Sequence, residues 1–128
     1  MSPDELLQAA RDAARYAVAP YSNFPVGAAV ETDDGRVVSG CNVESASYGL
    51  TICAERVAIF SALASGARPR AIAVTCPEGD PADLTSLTPC GACRQVMLDQ
   101  MGPDALVYVD RVGQFTVADL LPKGFRLP

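Results

Sequence analysis

The order of apolar and polar positions predicts one helix and a hairpin in the first third of the chain. Residues 3–18 repeat apolar side chains at helical spacing, and Pro20 ends that pattern. The apolar runs at 26–32 and 36–44 flank an Asp-Asp-Gly turn at 33–35. Such a turn between two β-rich runs is typical of a β-hairpin.

The rest of the chain alternates between strand and helix patterns. Helices are predicted over 51–64 and over 89–101, the second beginning at a proline in the first helical position. Strands are predicted at 71–76, 105–110 and 114–117, and the last residues form an irregular tail. The resulting order is α-β-β-α-β-α-β-β.

This order predicts the fold class. Helices that alternate with strands and are long enough to cover a sheet favour an α/β fold, a three-layer α/β/α sandwich around a five-stranded mixed sheet. No internal repeat and no linker interrupts residues 1–128, so we expect a single domain.

Composition and charge narrow the choice of partners. The hydrophobic content of 49% with 20% charged residues is typical of a globular chain. Its formal charge of −5 disfavours nucleic acid as a partner, because a phosphate backbone is held by a basic surface. No apolar run is long enough to span a bilayer, so we expect no membrane association and a cytoplasmic location.

Five cysteines stand in a chain that contains no histidine. An odd number in a reducing compartment argues against a disulfide framework. Cys41 and Cys76 lie in or at the ends of strand-like runs, where they are predicted to pack as small hydrophobic residues. The other three, Cys53, Cys90 and Cys93, lie at the starts of the second and third predicted helices.

The positions of these three cysteines predict a metal site. Cys90 and Cys93 have the C-x-x-C spacing that lets two thiolates reach one ion. Helix N-termini favour thiolate, and helices that follow neighbouring strands begin at the same edge of a sheet, where Cys53 would join them. Three thiolates select zinc and leave one coordination position open for water, which is the catalytic arrangement.

Glu55 lies two residues beyond Cys53. A carboxylate beside a zinc-activated water can accept its proton and pass it on. Taken alone, an acid at a helix start is ordinary, and C-x-x-C alone also fits a redox pair or a structural zinc site. The combination of both motifs favours a hydrolytic zinc enzyme.

These motifs resemble those of the zinc-dependent cytidine deaminases. The resemblance begins with CAER (53–56) and PCGACRQ (89–95). It extends to PYSNFPVGAAV (20–30), GCNVESASYG (40–49) and LLPKGF (120–125), and is greatest to the small, three-cysteine, homotetrameric type. Ser45 is a departure, since the family more usually has N-x-E-N-A there.

The resemblance implies a role for each matching residue. Glu55 is the catalytic proton shuttle, and Tyr48 and Phe125 reach the pocket of a neighbouring subunit. The zinc ligands are Cys53, Cys90 and Cys93, and the substrate contacts are Phe24 on the pyrimidine ring, Asn42 and Glu44 on the ribose hydroxyls, Ala54 on the base, and Tyr48 and Phe125 from neighbours.

Three thiolates leave excess negative charge on the metal. Arg56 and Arg94 are the candidates to donate to ligand sulfurs, and the resemblance favours Arg56 as the charge-balancing residue.

The resemblance also implies the reaction: hydrolysis of cytidine and 2′-deoxycytidine to the uridine forms and ammonia, in pyrimidine salvage, with one zinc per chain. Two alternatives remain open at this point. One is a deaminase of a cytosine nucleoside antibiotic, as in the blasticidin S deaminases, and the other is a non-catalytic structural zinc domain.

Overall fold

The computed structural model describes residues 1–128 and contains a five-stranded mixed sheet in the order β2-β1-β3-β4-β5. Its strands are β1 (Gly27–Thr32), β2 (Val37–Cys41), β3 (Pro69–Thr75), β4 (Leu106–Val109) and β5 (Gly113–Thr116). Its helices are α1 (Pro3–Ala14), α2 (Ala54–Ala64), α3 (Gly91–Met101) and α4 (Val117–Leu120), with short 3-10 turns at Tyr48–Leu50 and Leu84–Ser86. Only β3 and β4 run parallel, and the predicted fold class is confirmed.

The sheet is covered on both faces because neighbouring residues of a strand point in opposite directions. Ala28 and Val30 of β1 belong to the larger core, which includes residues of α2, α3 and α4. Ala29, between them, packs with Leu6 and Ala10 of α1 in a smaller core on the other face. None of the helices is both long and apolar enough to cross a membrane.

Helix α2 lies unusually close to strand β2, and Gly40 makes this possible. A Cβ atom at this position would lie 2.6 Å from the backbone nitrogen of Ala58 and 2.8 Å from the carbonyl oxygen of Ala54. Any side chain at residue 40 would therefore push the start of α2 away from the sheet.

All three predicted helices differ from the structure at one end. Helix α1 ends at Ala14 instead of residue 18, because Val18 pairs with Val43 in an isolated β-bridge. The predicted starts of the other two helices, at residues 51 and 89, are also too early. Cys53 and Cys90 are extended N-cap residues, each directly before its helix.

The strand predicted over 114–117 is displaced by one residue, since β5 is Gly113–Thr116, and a short helix was missed. Thr116 and Asp119 form a capping box, in which each side chain bonds to the other's backbone N–H, and α4 begins at Val117. Of the two cysteines predicted to pack in the core, Cys76 is buried and Cys41 is half-buried.

One ion pair connects α1 to the far end of β4. Two nitrogens of Arg11 donate to the two carboxylate oxygens of Asp110, at 3.0 and 2.7 Å, and the hydroxyl of buried Thr75 donates to the same carboxylate at 2.8 Å. The hydrogen bond from Arg11 is the main cause of a lowered pKa of Asp110. The charged carboxylate therefore stabilises the folded state at neutral pH.

Asp110→Ala is expected to lower the free energy of unfolding by about 1–3 kcal/mol, since it leaves the buried hydroxyl of Thr75 without its acceptor. Because the pKa of Asp110 is lowered by folding, the difference from wild type should shrink as the pH falls below about 4. Asp12→Ala, which removes an exposed pair with Arg15, is the control and should change stability by less than about 0.5 kcal/mol. Urea denaturation at several pH values measures both; equal stability of the two variants would contradict this role.

Candidate active site

Three cysteine sulfurs come together at the starts of α2 and α3. The Sγ atoms of Cys53, Cys90 and Cys93 all lie within 4.8 Å of one another, and those of Cys53 and Cys90 are 3.8 Å apart. All five cysteines are free, and Cys41 and Cys76 lie outside this group. The structure therefore brings together the three cysteines that were predicted to converge.

Local backbone geometry sets the direction of these side chains. Cys53 and Cys90 are N-cap residues with extended backbones, while Cys93 lies in the first turn of α3 and donates its backbone N–H to the sulfur of Cys90 at 3.5 Å. Helix N-termini carry partial positive charge, which favours the thiolate form. Hydrogen bonds with Cys93 and Arg56 lower the pKa of Cys53 to about 5. The same bond with Cys53, together with burial, raises the pKa of Cys93.

The donor set fits zinc. Thiolates are soft ligands that select zinc over magnesium or calcium, and the chain has no histidine to complete a mixed site. Structural zinc sites use four protein ligands, whereas catalytic sites keep one position open. With three sulfurs converging, the cluster has the ligand number of a catalytic site.

Glu55 lies beside the sulfur cluster in an apolar environment. It is only 4% exposed, yet it lines the cavity described below. Burial is the main cause that raises its pKa to about 7, and the charge of Cys53 contributes. A carboxyl group with a pKa near neutrality is suited to both accepting and donating protons.

Two arginines lie near the cluster, and they have different partners. Arg56 donates from Nη2 to the sulfur of Cys53 at 3.4 Å, while its Nε is buried without a hydrogen-bond partner. Arg94 instead makes three bonds to oxygen atoms: Pro89 O at 2.7 Å, Leu120 O at 2.6 Å and Thr88 Oγ1 at 3.1 Å. Arg56 is thus the arginine that is placed to offset thiolate charge.

A cavity of about 470 Å³ opens beside the cluster. This volume is within the range of small-molecule sites, roughly 300–1,000 Å³. Its lining includes the following residues predicted for the site: Phe24, Asn42, Glu44, Cys53, Ala54, Glu55 and Cys90.

Glu44 also holds the loop that precedes β1. Its carboxylate accepts hydrogen bonds from the backbone N–H groups of Tyr21 at 3.0 Å and Ser22 at 3.1 Å, and from the hydroxyl of Ser22. Ser22 in turn accepts from the backbone N–H of Phe24 at 3.0 Å. Sequence reasoning gave no role to Ser22, although it lies in one of the motifs that carry the resemblance.

Asn42 has a similar double position, in the cavity wall and under the same loop. Its Oδ1 accepts from the backbone N–H of Val26 at 2.8 Å, and its Nδ2 donates to the carbonyl of Phe24 at 2.9 Å. One amide lone pair and one N–H remain for a ligand. Asn42 and Glu44 therefore fix the position of Phe24.

Another part of the lining was not predicted from the sequence. Thr85, Ser86 and Thr88 face the cavity from the segment between β3 and α3. The sequence marks this segment as turn-rich, and nothing in a run of turn residues indicates which side chain lines a site.

Tyr48 and Phe125 do not line the main cavity of their own chain. Tyr48 is 83% exposed. Phe125 is 67% exposed, and its carbonyl accepts a hydrogen bond at 2.9 Å from Gln95 on α3, so the tail lies along its own third helix.

Comparison with known proteins agrees with this site. Residues 1–110 match the family model described as the cytidine and deoxycytidylate deaminase zinc-binding region. A cytidine deaminase of Mycobacterium tuberculosis is 48% identical over 118 residues, covering 92% of this chain and 85% of the relative. The crystal structure of a cytidine deaminase from Burkholderia pseudomallei superimposes with a TM-score of 0.86 at 48% identity, covering 98% of this chain and all of that chain.

A blasticidin-S deaminase of Bacillus cereus is also similar, at the lower identity of 34% over 104 residues, 76% of this chain and 74% of the relative. The matching family model covers both cysteine motifs, and the similarity to cytidine deaminases extends over nearly the whole fold. The chain belongs to the cytidine and deoxycytidylate deaminase family.

Proposed function

We propose that this chain hydrolyses cytidine and 2′-deoxycytidine to uridine and 2′-deoxyuridine with release of ammonia, using one zinc ion per chain, in cytoplasmic pyrimidine salvage. One observation carries the proposal: a buried carboxyl group, Glu55, lies beside three converging cysteine sulfurs at the wall of a nucleoside-sized cavity. This arrangement combines a hydrolytic metal site with a proton carrier.

Cys53, Cys90 and Cys93 would hold the zinc ion, which supplies an activated water by lowering its pKa towards about 7. Glu55 accepts a proton as water attacks C4 of the cytosine ring and delivers it to ring N3. Glu55 then takes the second proton from the new C4 hydroxyl and transfers it to the amine, so that the C4–N bond breaks, the C4 carbonyl forms and ammonia departs. A pKa near 7 lets the same carboxyl group serve both directions of transfer.

The cavity wall provides contacts for the rest of the nucleoside. Phe24 packs against the pyrimidine ring, and the backbone of Ala54 contacts the base. The carboxylate of Glu44 accepts from ribose hydroxyls, and the remaining N–H and lone pair of Asn42 add to this contact. Hydrogen bonds keep the pKa of Glu44 low, chiefly the one from Ser22, so the acceptor is charged at neutral pH.

Two alternative functions are separable by experiment. An antibiotic deaminase would turn over blasticidin S faster than cytidine, and comparing the two rates of ultraviolet change decides between them. A structural zinc domain would have no use for a buried carboxyl group beside the metal, and it would deaminate neither compound.

Assembly completes the proposal. Tyr48 and Phe125 are exposed and lie outside the cavity of their own chain, as expected if each contributes to the site of a neighbouring subunit. Exposed aromatic side chains of this kind are characteristic of protein interfaces. We therefore propose a homotetramer with active sites shared between chains.

Glu55→Gln should retain zinc and fold but lose at least about 100-fold in kcat on cytidine, because general acid–base steps contribute roughly 10²–10⁴-fold. Metal analysis and the ultraviolet assay on the same preparation measure both properties. A variant that keeps more than about a tenth of wild-type activity would exclude Glu55 as the proton shuttle.

Arg56→Gln should lower kcat about 10- to 100-fold, the usual effect of losing a residue that supports metal ligands. The cause is the loss of the charge that offsets the Cys53 thiolate. Arg15→Gln, on the exposed end of α1, is the control. Equal activity and equal zinc content in the two variants would show that Arg56 does not offset the thiolate charge of the site.

Deletion of residues 124–128 should raise KM for cytidine while zinc content stays unchanged, because the tail closes a neighbouring subunit's pocket. Leu127→Ala alters a tail residue that is more exposed than Phe125 and should have little effect. Mixing the truncated protein with Glu55→Gln should restore part of the activity, since intact tails then meet intact Glu55. A monomer with full activity would contradict shared sites.

A further inference from the structure

One wall of the cavity is formed by a segment without strand pairing. Residues 77–88, named the wall segment, join β3 to α3 and contribute Thr85, Ser86 and Thr88 to the cavity lining. Its single regular feature is the 3-10 turn Leu84–Ser86. The shape of this part of the cavity therefore depends on how the wall segment is attached to the fold.

Most hydrogen bonds of the wall segment are local. The backbone N–H of Gly79 donates to the carbonyl of Cys76 at 2.9 Å, and that of Asp80 donates to the hydroxyl of Ser86, also at 2.9 Å. Leu87, 1% exposed, fixes the far part of the segment in the core. Local bonds preserve the internal shape of a loop, but they do not hold it against the sheet.

Arg111 supplies the missing attachment at the beginning of the wall segment. Its Nη2 donates to three backbone carbonyls: Cys76 at 2.5 Å, Gly79 at 3.3 Å and Pro77 at 3.4 Å. One guanidinium group thereby contacts three of the carbonyls of this turn. Arginine suits this task because it is always charged and offers five N–H donors.

The sheet directs Arg111 towards this turn. Strands β3 and β4 are parallel, so they end at the same edge of the sheet, and the N–H of Asp110 still pairs with the carbonyl of Val74 at 2.9 Å. Backbone pairing stops there. Arg111 then adopts a left-handed backbone with φ of 66°. Beyond this point the side chain of Arg111, and not backbone pairing, connects the end of β4 to the chain that follows β3.

The other end of the wall segment is held in the same manner. Arg94 of α3 donates to the hydroxyl of Thr88 at 3.1 Å and to the carbonyl of Pro89 at 2.7 Å. Thr85, Ser86 and Thr88 thus lie between two arginine attachments, one from α3 and one from the turn after β4.

We propose that Arg111 is a positioning residue for the substrate: it holds the start of the wall segment so that Thr85, Ser86 and Thr88 keep the cavity in its binding shape. Arg111 is exposed and does not line the cavity, so it acts only through the segment that it holds. The expected effect of Arg111 on KM rests on the proposed cytidine deaminase activity.

Arg111→Met removes the donors and keeps most of the side-chain length. We expect KM for cytidine to rise about three- to tenfold, kcat to stay within about twofold, and zinc content to stay unchanged, because the change weakens binding equally in ground and transition states. Arg111→Lys keeps the charge and some donors, so its KM should lie between those of wild type and Arg111→Met. Arg36→Met is the control, since Arg36 pairs with Asp34 at the distant hairpin.

Hydrogen exchange provides a readout that does not depend on the substrate. Amides of residues 77–86 should exchange faster in Arg111→Met than in wild type, while those of α1 and β1 stay unchanged. Unchanged KM with unchanged exchange would overturn the inference, as would a loss confined to kcat. If Arg111→Met fails to fold, Arg111→Lys carries both measurements.

The two proposals fail in different ways. A wild-type protein that does not deaminate cytidine refutes the proposed function, and exchange in residues 77–86 then decides alone whether Arg111 holds the wall segment. A wild-type protein that deaminates cytidine, with Arg111→Met equal to it in KM and exchange, refutes only the role of Arg111.

Discussion

The approach of two helix N-termini to the same point is the constraint on which the site depends. Cys53 caps α2 and Cys90 caps α3, and this brings three sulfurs within 4.8 Å of one another. Gly40 allows α2 to pack closely on β2, and this packing sets the position of the N-terminus of α2. Glu55 follows Cys53 in the first turn of α2, so the packing that positions the sulfur also buries the carboxyl group. The proposed metal ligand Cys53 and the proposed proton carrier Glu55 are thus placed by a single helix start.

The walls of the cavity depend on the sheet in a less direct way. Asn42 and Glu44 follow the end of β2 and hold the loop that carries Phe24, through bonds to backbone groups of residues 21–26. The wall segment, which follows β3, is held by Arg111 and Arg94. In each case an irregular segment is attached by side chains that lie in a regular element or shortly after one. Rigid attachment of this kind reduces the entropy lost when a substrate binds.

The hairpin, the strands and the helices could be predicted because each has a local signal. The convergence of three cysteines could be predicted because these residues lie at the starts of two helices. Turn residues at 33–35 mark the hairpin, and apolar periodicity marks the helices. Helix ends were less predictable, because tertiary pairing decides them. Val18 leaves the helical pattern to pair with Val43, a residue far away in the sequence.

The supporting contacts of the site could not be predicted from the sequence, because they join distant residues through backbone atoms. Arg111 and the carbonyl of Cys76 are separated by 35 residues, and no side-chain pattern marks a carbonyl as an acceptor. The preference for Arg56 over Arg94 came from a family resemblance, and the geometry gives it a physical reason: only Arg56 donates to a cysteine sulfur.

X-ray absorption at the zinc edge of the purified protein tests the central claim most directly, because it counts sulfur neighbours around the metal. A catalytic site built from Cys53, Cys90 and Cys93 predicts three sulfur neighbours at about 2.3 Å and one lighter ligand. Four sulfur neighbours would mean that another cysteine closes the site, as in a structural zinc domain. Such a result, or a protein without zinc that still deaminates cytidine, would contradict the proposed chemistry.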